Sequence, residues 1–241
     1  MSESKTWLVT GGSRGIGRAV VENATARGDR VAVFARKPAT EQWTHPERVV
    51  EIPTDISDAS SLGLGVDTVF ETFGSLDVVV NAAGVHRGGR IGDVSRTHWD
   101  EVLATNLTGA FELARTVVPR LKEGASIVNV GAVVGFRGFP GDVAYGAAKA
   151  GLNGLTQVLA VELAPRGIRV NLVIPGVVDT DMTSALAGRA RDRLIAAIPM
   201  GRTGLAEEIA QVIAGVADST YMTGSIVATD GGLMSSFSSR S

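Results

Sequence analysis

Tyr145 and Lys149 stand four residues apart in Tyr145-Gly146-Ala147-Ala148-Lys149, so a helix carries this phenol and this ammonium on one face. A free tyrosine titrates at about 10 and a free lysine at about 10.4. An ammonium close by favours the phenolate and lowers the tyrosine pKa, which makes the phenol a usable proton donor to, or acceptor from, a carbinol oxygen. Taken alone, the pair has a second reading as surface decoration. Another chemical element lies at Thr10-Gly11-Gly12-Ser13-Arg14-Gly15-Ile16-Gly17. Glycines spaced G-x-x-x-G-x-G between a strand and a helix are a variant of the dinucleotide-binding turn. Lacking a Cβ, they let backbone N–H groups approach phosphate oxygens. A helix beginning near Gly15 also turns its positive end toward a pyrophosphate. Gly11, Ser13, Arg14, Gly15, Ile16 and Gly17 are therefore the expected phosphate contacts, with a purely structural turn as the plainer alternative.

The end of the second strand separates the two nicotinamide dinucleotides. An acid there would hold a ribose 2′-hydroxyl and repel a 2′-phosphate. Here the chain reads Phe34-Ala35-Arg36-Lys37, with Ala35 where an acid would suit and two cations after it. Arg36 can grip a phosphate with two hydrogen bonds, and Arg14 could reach the same group. The absent acid and the two arginines favour NADP over NAD; a solvated pair of cations is the alternative. Asp55, followed by Ile56 after the third strand, is placed to accept from an adenine amine or to cap a helix.

These groups need a scaffold. Apolar runs at Trp7–Thr10, Arg30–Ala35, Val49–Pro53, Asp77–Asn81, Ser126–Gly131, Ile168–Ile174 and Ser225–Thr229 do not alternate with polar residues, as in strands buried on both faces. The intervening segments Ile16–Arg27, Ala59–Phe73, Thr97–Lys122, Val143–Ala164 and Ala206–Ala217 suit crossover helices. The expected fold is an α/β, three-layer, doubly wound Rossmann fold with a seven-stranded parallel sheet. Its ligand would lie outside the carboxyl ends of the strands. Residues 1–241 read as a single domain without a linker. Thr183–Pro199, between two prolines, is either a flexible lid or a packed helix pair. The serine-rich tail 235–241 is expected to fray. The helix after Gly141 is apolar around most of its circumference, which predicts burial in a core or in a subunit interface.

The 241 residues are 44% hydrophobic and 20% charged, with a net charge of −2. No basic run is long enough to grip nucleic acid, so the expected partner is a small molecule. The chain has no cysteine, which excludes disulfides and thiolate catalysis and fits a reducing cytosol. The residues after Met1 do not form a signal peptide, and nowhere do about 18 apolar residues run together, so no membrane span is expected. His45, His86 and His98 lack metal-ligand spacing, and no metal site is expected. His86 lies near the expected substrate mouth, although an exposed loop histidine is the plainer reading. Arg87 and Arg90 add charge there that would suit an acidic carrier protein or a coenzyme A phosphate; a solvated loop is the default. Turn chemistry accounts for Asp179 and Asp181 better than a carboxylate pair does.

Taken in order, Thr10–Gly17, Asn81-Ala82-Ala83-Gly84, Asn106, Tyr145 with Lys149, Pro175-Gly176-Val177-Val178-Asp179-Thr180-Asp181-Met182 and Asp230-Gly231-Gly232 resemble the motifs of a short-chain dehydrogenase/reductase. The resemblance covers roughly residues 6–234 and is strongest to the β-ketoacyl-acyl-carrier-protein reductase branch. It implies an NADPH-dependent ketone reductase, cytoplasmic and homo-oligomeric (tetramer or dimer), acting on a small ketone or an acyl thioester, with acyl carrier protein as a conceivable partner. A polyketide or steroid-type tailoring ketoreductase is the near alternative.

The resemblance also assigns roles. Tyr145 would be the general acid, and Lys149 would bind the nicotinamide ribose and lower the Tyr145 pKa. Asn106 would hold a water that relays protons to Lys149. Asn81, Ala82 and Gly84 would line the adenosine ribose and nearby backbone, Val178 and Thr180 would contact the carboxamide, and Pro175 would also border the cofactor. Residues Thr183–Gly204 would form the substrate lid. One position departs from the pattern: thirteen residues before Tyr145, where the family has a serine that donates to the substrate carbonyl, stands Ala132. Losing such a donor typically costs about 10²–10³ in turnover. The reading favoured on sequence is a deliberate removal of that hydroxyl, because the rest of the site is intact. A natural variant in which Tyr145 and a substrate group suffice, and a non-catalytic NADP-binding regulatory protein, are the alternatives.

Overall fold

Unbroken apolar runs become the strands of one sheet. The computed structural model describes residues 4–184 and 188–236. Strands β1 (Thr6–Thr10), β2 (Arg30–Ala35), β3 (Val49–Pro53), β4 (Val78–Asn81), β5 (Ser126–Val130), β6 (Arg169–Pro175) and β7 (Ile226–Thr229) lie in the order β3-β2-β1-β4-β5-β6-β7. All pairs are parallel. Helices α1 (Gly15–Ala26), α2 (Ala59–Phe73), α3 (Arg96–Leu103), α4 (Gly109–Val117), α5 (Val143–Leu163), α6 (Asp181–Ser184), α7 (Gly188–Ala197) and α8 (Ala206–Asp218) complete the described elements.

Side chains alternate across the sheet and so build two cores. Trp7, Val9, Val31 and Val33 pack with Val20 and Val21 of α1 and Ile209 and Ile213 of α8. Leu8, Ala32 and Phe34 face the other way, onto Leu62 and Val66 of α2, Leu113 of α4 and Leu163 of α5. With both faces covered, hydrophobic runs without alternation are what this architecture requires.

The structure refines three expectations. The single helix read over Thr97–Lys122 is α3, a π-helical turn over Ala104–Thr108, α4 and a 3₁₀ turn over Val118–Arg120. Helix α5 is buried on one side only: Ala144, Ala148, Lys149, Leu152 and Thr156 face inward, but Val158 and Val161 are 56% and 77% exposed. The segment after Thr183 is helical at 183–184 and over Gly188–Ala197. Residues 185–187 lie outside the described residues, and Ile198, 2% exposed, anchors the far end on Leu172, Ile174 and Leu233. Of the tail, Ser235 closes a 3₁₀ turn, and 237–241 lie outside the described residues.

Candidate active site

All strands point the same way, so their carboxyl ends share one edge of the sheet. The strand order reverses between β1 and β4, where a doubly wound sheet opens a crevice. The glycine turn starts at the end of β1. Gly15 has φ +54°, a left-handed conformation that a side chain resists. At Gly17 a Cβ would collide with the Gly11 carbonyl oxygen, so the turn closes only with glycine there. Arg14 precedes α1 without a side-chain cap, and no acidic residue stands in the first turn. The leading N–H groups of the helix thus have no anionic side chain on them, as an anion-binding end requires. Ile16 packs sideways onto the α1/α8 core, and Ser13 is half-buried. Beside this turn, between α1 and α8, a cleft of about 500 Å³ is lined by Gly15, Arg18, Glu22, Asp179, Thr180 and Ala206.

Contacts carry the turn across to the Tyr145 side. A Cβ on Gly11 would stand 2.7 Å from Ala83 Cα, so the turn and the Asn81–Gly84 loop pass in direct contact. A Cβ on Gly84 would meet Asn106 Oδ1 at 2.7 Å and Lys149 Nζ at 3.9 Å. The Lys149 ammonium donates to the Val130 carbonyl at the end of β5, 2.8 Å, and lies 5.5 Å from the centre of the Tyr145 ring. The Pro175–Met182 loop closes the remaining side. Pro175 ends β6, Val178 is buried, and the Thr180 methyl would touch a Cβ on Gly15 at 3.4 Å.

The π-helical turn places Asn106. Its amide donates to the carbonyls of Val85 and Val102, both at 2.8 Å, and its oxygen accepts from Val85 N–H at 3.2 Å. The side chain is thereby committed to holding the loop after β4. Asn81 is committed as well: buried, it accepts from Thr10 Oγ1 at 3.1 Å, and that same hydroxyl accepts from Ala83 N–H. It ties β1 to β4 rather than standing open to a ribose; Ala82 beside it is half-buried.

Burial reverses one electrostatic expectation. The Tyr145 phenol is pushed up to about 12, by burial first and then by the negative charge of Asp142. Spacing alone suggests a lowered value, but Lys149 spends its ammonium on Val130 and is itself drawn down to about 8 by burial. Lysine below its ordinary 10.5 means that the unfolded chain holds more protons than the fold between about pH 8 and about pH 10. The Lys149 penalty is therefore full below pH 8 and is relieved as pH rises through that window; the Tyr145 window opens only above it. Against Lys149→Met, thermal unfolding of the unsubstituted chain should gain relative stability on going from about pH 7.5 to about pH 9.5, on the order of 2 kcal/mol. A difference that does not change with pH would contradict the buried ammonium.

At the β2 end, Arg36 is exposed and its charge reaches Asp55. Burial would raise the Asp55 carboxyl, but hydrogen bonds from Ser57 Oγ and N–H, at 2.6 and 2.9 Å, together with Arg36, bring it below its ordinary value. Asp58 caps α2, accepting from Ser60 and Ser61 N–H, so Asp55 is not the cap. Ile56 is buried against Gly109. Arg14 stands 3.8 Å from Asp181 and is largely exposed. Asp179 accepts from Thr203 Oγ1 at 2.7 Å and pairs with Arg191 at 3.0 Å, in keeping with a loop-bracing role. Asp230 braces the other side of that loop through Gly232 and Met234 N–H. Among the described residues no group of three His, Cys, Asp or Glu could hold a metal ion, and no helix is long and apolar enough to cross a membrane.

Ala132 sits where β5 gives way to a 3₁₀ turn, Val133–Gly135. That turn is pressed onto α5: a Cβ on Gly135 would lie 2.8 Å from Ala150 N and from Lys149 C. Position 132 thus lies between Val130, which accepts from Lys149, and the turn pressed onto α5, and it carries a methyl group. Arg87 is held on Glu101 at 2.7 Å, leaving Arg90 as the freer exposed cation of the loop. Sequence reasoning missed one feature, a contact between His86 and Asp142 at 2.7 Å beside the Tyr145 ring. The partners are 56 residues apart, and no motif links them.

Residues 11–234 match a family model described as enoyl-(acyl carrier protein) reductase. The 3-oxoacyl-acyl-carrier-protein reductase FabG of Thermotoga maritima is 39% identical over 242 aligned residues, covering 96% of this chain and 98% of the relative. The Escherichia coli enzyme of the same name is 37% identical, covering 96% and 98%. Among solved structures, a blue fluorescent protein from a metagenomic library in complex with NADPH superposes with a TM-score of 0.90 at 32% identity, covering 95% of this chain and 97% of that one. With the fold, the glycine turn and the Tyr145/Lys149 pair on one sheet edge, these likenesses show that the chain belongs to the short-chain dehydrogenase/reductase family of oxidoreductases.

Proposed function

We propose that this protein reduces the ketone of a 3-oxoacyl thioester, or a ketone like it, to a secondary alcohol at the expense of NADPH. The observation that carries this reading is the chain of contacts from Gly11 through Ala83 and Gly84 to Lys149 and Tyr145, which puts a dinucleotide turn and a proton donor on one crevice. The residues present fit NADP: a helix end without acid, a turn that only glycines close, and an exposed arginine after β2 where an acid would exclude a 2′-phosphate. The NADPH complex of a structural neighbour supports the same choice.

Bound NADPH supplies the hydride for the carbonyl carbon. The chain does the rest. Tyr145, neutral across the physiological range because its pKa is raised, keeps a proton to give to the carbonyl oxygen. Lys149, still mostly protonated at neutral pH, is fixed by Val130 beneath that ring and can answer the charge that develops. Asn106 holds the loop that carries Gly84; because its side chain is spent, any water relay falls to the backbone carbonyls that the π-helical turn loosens. Ala132 contributes no donor. For the thioester's carrier, acyl carrier protein or coenzyme A, exposed Arg90 on the loop after β4 is a candidate contact. Exposed Val158 and Val161 on α5 and Phe111 on α4 support association between copies of the chain.

Following NADPH absorbance with an acetoacetyl thioester tests the reaction; no turnover by a chain that binds NADPH would refute it. For the cofactor, Arg36→Ala should weaken NADPH binding about tenfold to a hundredfold, the worth of a charge-assisted phosphate contact, and leave NADH binding nearly unchanged. Equal losses in a fluorescence titration would remove Arg36 as the 2′-phosphate ligand.

A further inference from the structure

His86 stands with its ring edge-on to Tyr145, the two centroids 5.2 Å apart and the planes at 85°. Its Nε2 lies 2.7 Å from Asp142 Oδ1. Asp142 is the residue just before α5, three positions ahead of Tyr145, and its carboxylate makes no capping bond to the helix. The two loops are also joined through their backbones, since Gly89 N–H donates to the Gly141 carbonyl at 2.8 Å and Gly89 bridges Asp142. Both side chains are partly open, 36% and 27% exposed, and so reach solvent rather than lying in the core. A carboxylate only accepts, so Nε2 carries a proton toward Asp142. The other ring nitrogen, Nδ1, makes no hydrogen bond among the described residues, and it donates when the ring is protonated.

We infer that His86, oriented by Asp142, is the second hydrogen-bond donor at the substrate carbonyl, in the place left without a hydroxyl by Ala132. The inference rests on the ketone-reduction reading above. Tyr145 transfers its proton to the oxygen, while the ring of His86, carrying a proton on each nitrogen, keeps both and donates a hydrogen bond through Nδ1. Two donors then face the oxygen, as the developing charge requires. Among the described residues the ring meets Asp142 and Tyr145; Lys149 lies 5.5 Å from the Tyr145 ring, the next residue, Arg87, is closed on Glu101 at 2.7 Å, and Arg90 is exposed on the same loop. The substrate class that such a site favours is a ketone whose oxygen gathers negative charge, rather than a substrate reduced at a carbon–carbon double bond.

The test is a double-mutant cycle on kcat with an acetoacetyl thioester, with NADPH binding followed by fluorescence and folding by thermal melting. His86→Ala should lower kcat about 10²–10³-fold, the cost of a lost oxyanion donor, with NADPH affinity unchanged. Ala132→Ser should change the unsubstituted chain less than about tenfold yet restore most of the loss in the His86→Ala background, because one hydroxyl replaces one ring. His86→Gln, which keeps an amide N–H donor, should retain part of the activity. Equal losses on removing His86 with and without the Ala132→Ser substitution, or no loss in either case, would overturn the inference while leaving ketone reduction standing. If neither the unsubstituted chain nor Ala132→Ser reduces the ketone although both bind NADPH, the underlying reading fails and takes this one with it.

Discussion

Tyr145→Phe should lower kcat for ketone reduction by about 10²–10⁴, the usual worth of a positioned general acid, while NADPH binds as before. The phenol makes no hydrogen bond to protein among the described residues, so its removal leaves the folded chain little changed. Its raised pKa, about 12, means that it is protonated at every working pH and so acts as a donor in the reductive direction. The same burial makes it a poor base, and oxidation of the alcohol should need alkaline conditions. Stopped-flow absorbance of NADPH, with a thermal melt alongside, separates the outcomes. A Phe variant that still turns over at about a tenth of the original rate would assign the proton to another group.

Gly15→Val should weaken NADPH binding by about 10²–10⁴ without unfolding the protein. Gly15 sits at φ +54°, where a β-branched residue is strained by a few kcal/mol at most. Around the missing Cβ the space is open apart from the Thr180 methyl at 3.4 Å, so packing adds little to that cost. The added methyls would project at the start of α1, over the N–H groups assigned to the pyrophosphate. Two charge-assisted hydrogen bonds lost there, at about 1.5–3 kcal/mol each, give the expected range. Gly17→Val is the control of opposite kind: its Cβ meets the Gly11 carbonyl, so it should damage the fold itself. Isothermal titration and melting curves on both variants check the contrast. Unaltered binding in a folded Gly15→Val would move the phosphates elsewhere.

The scaffold was legible because burial on both faces leaves a plain mark. Runs such as Val78-Val79-Val80 cannot serve an exposed face, and the bounds read for Arg30–Ala35 and Val49–Pro53 are those of β2 and β3. The π-helical turn was not legible, since Ala104-Thr105-Asn106-Leu107-Thr108 differs in nothing from ordinary helix, and its extra residue per turn is held by tertiary bonds from Asn106 to Val85. The direction of the Tyr145 shift escapes sequence reading for a related reason. Spacing reports which groups are neighbours on a helix, whereas desolvation and the Asp142 charge depend on what covers them. The alternative role of Asp55 as a cap falls to Asp58, which accepts from Ser60 and Ser61 N–H at the start of α2. The His86–Asp142 pair brings together loops distant in sequence. Among the described residues, the backbone bond and bridge from Gly89 to Gly141 and Asp142 join those loops.

Direct evidence on the central claim, delivery of a hydride and a proton to one carbonyl in this crevice, comes from isotope transfer. NADPH carrying deuterium at the reactive C4 position, incubated with the unsubstituted chain and an acetoacetyl thioester, should yield a 3-hydroxyacyl thioester with deuterium on the carbinol carbon, read by NMR and mass spectrometry. Consumption of the cofactor with the label on C2 of a saturated product, or with no label in any product, would contradict the account.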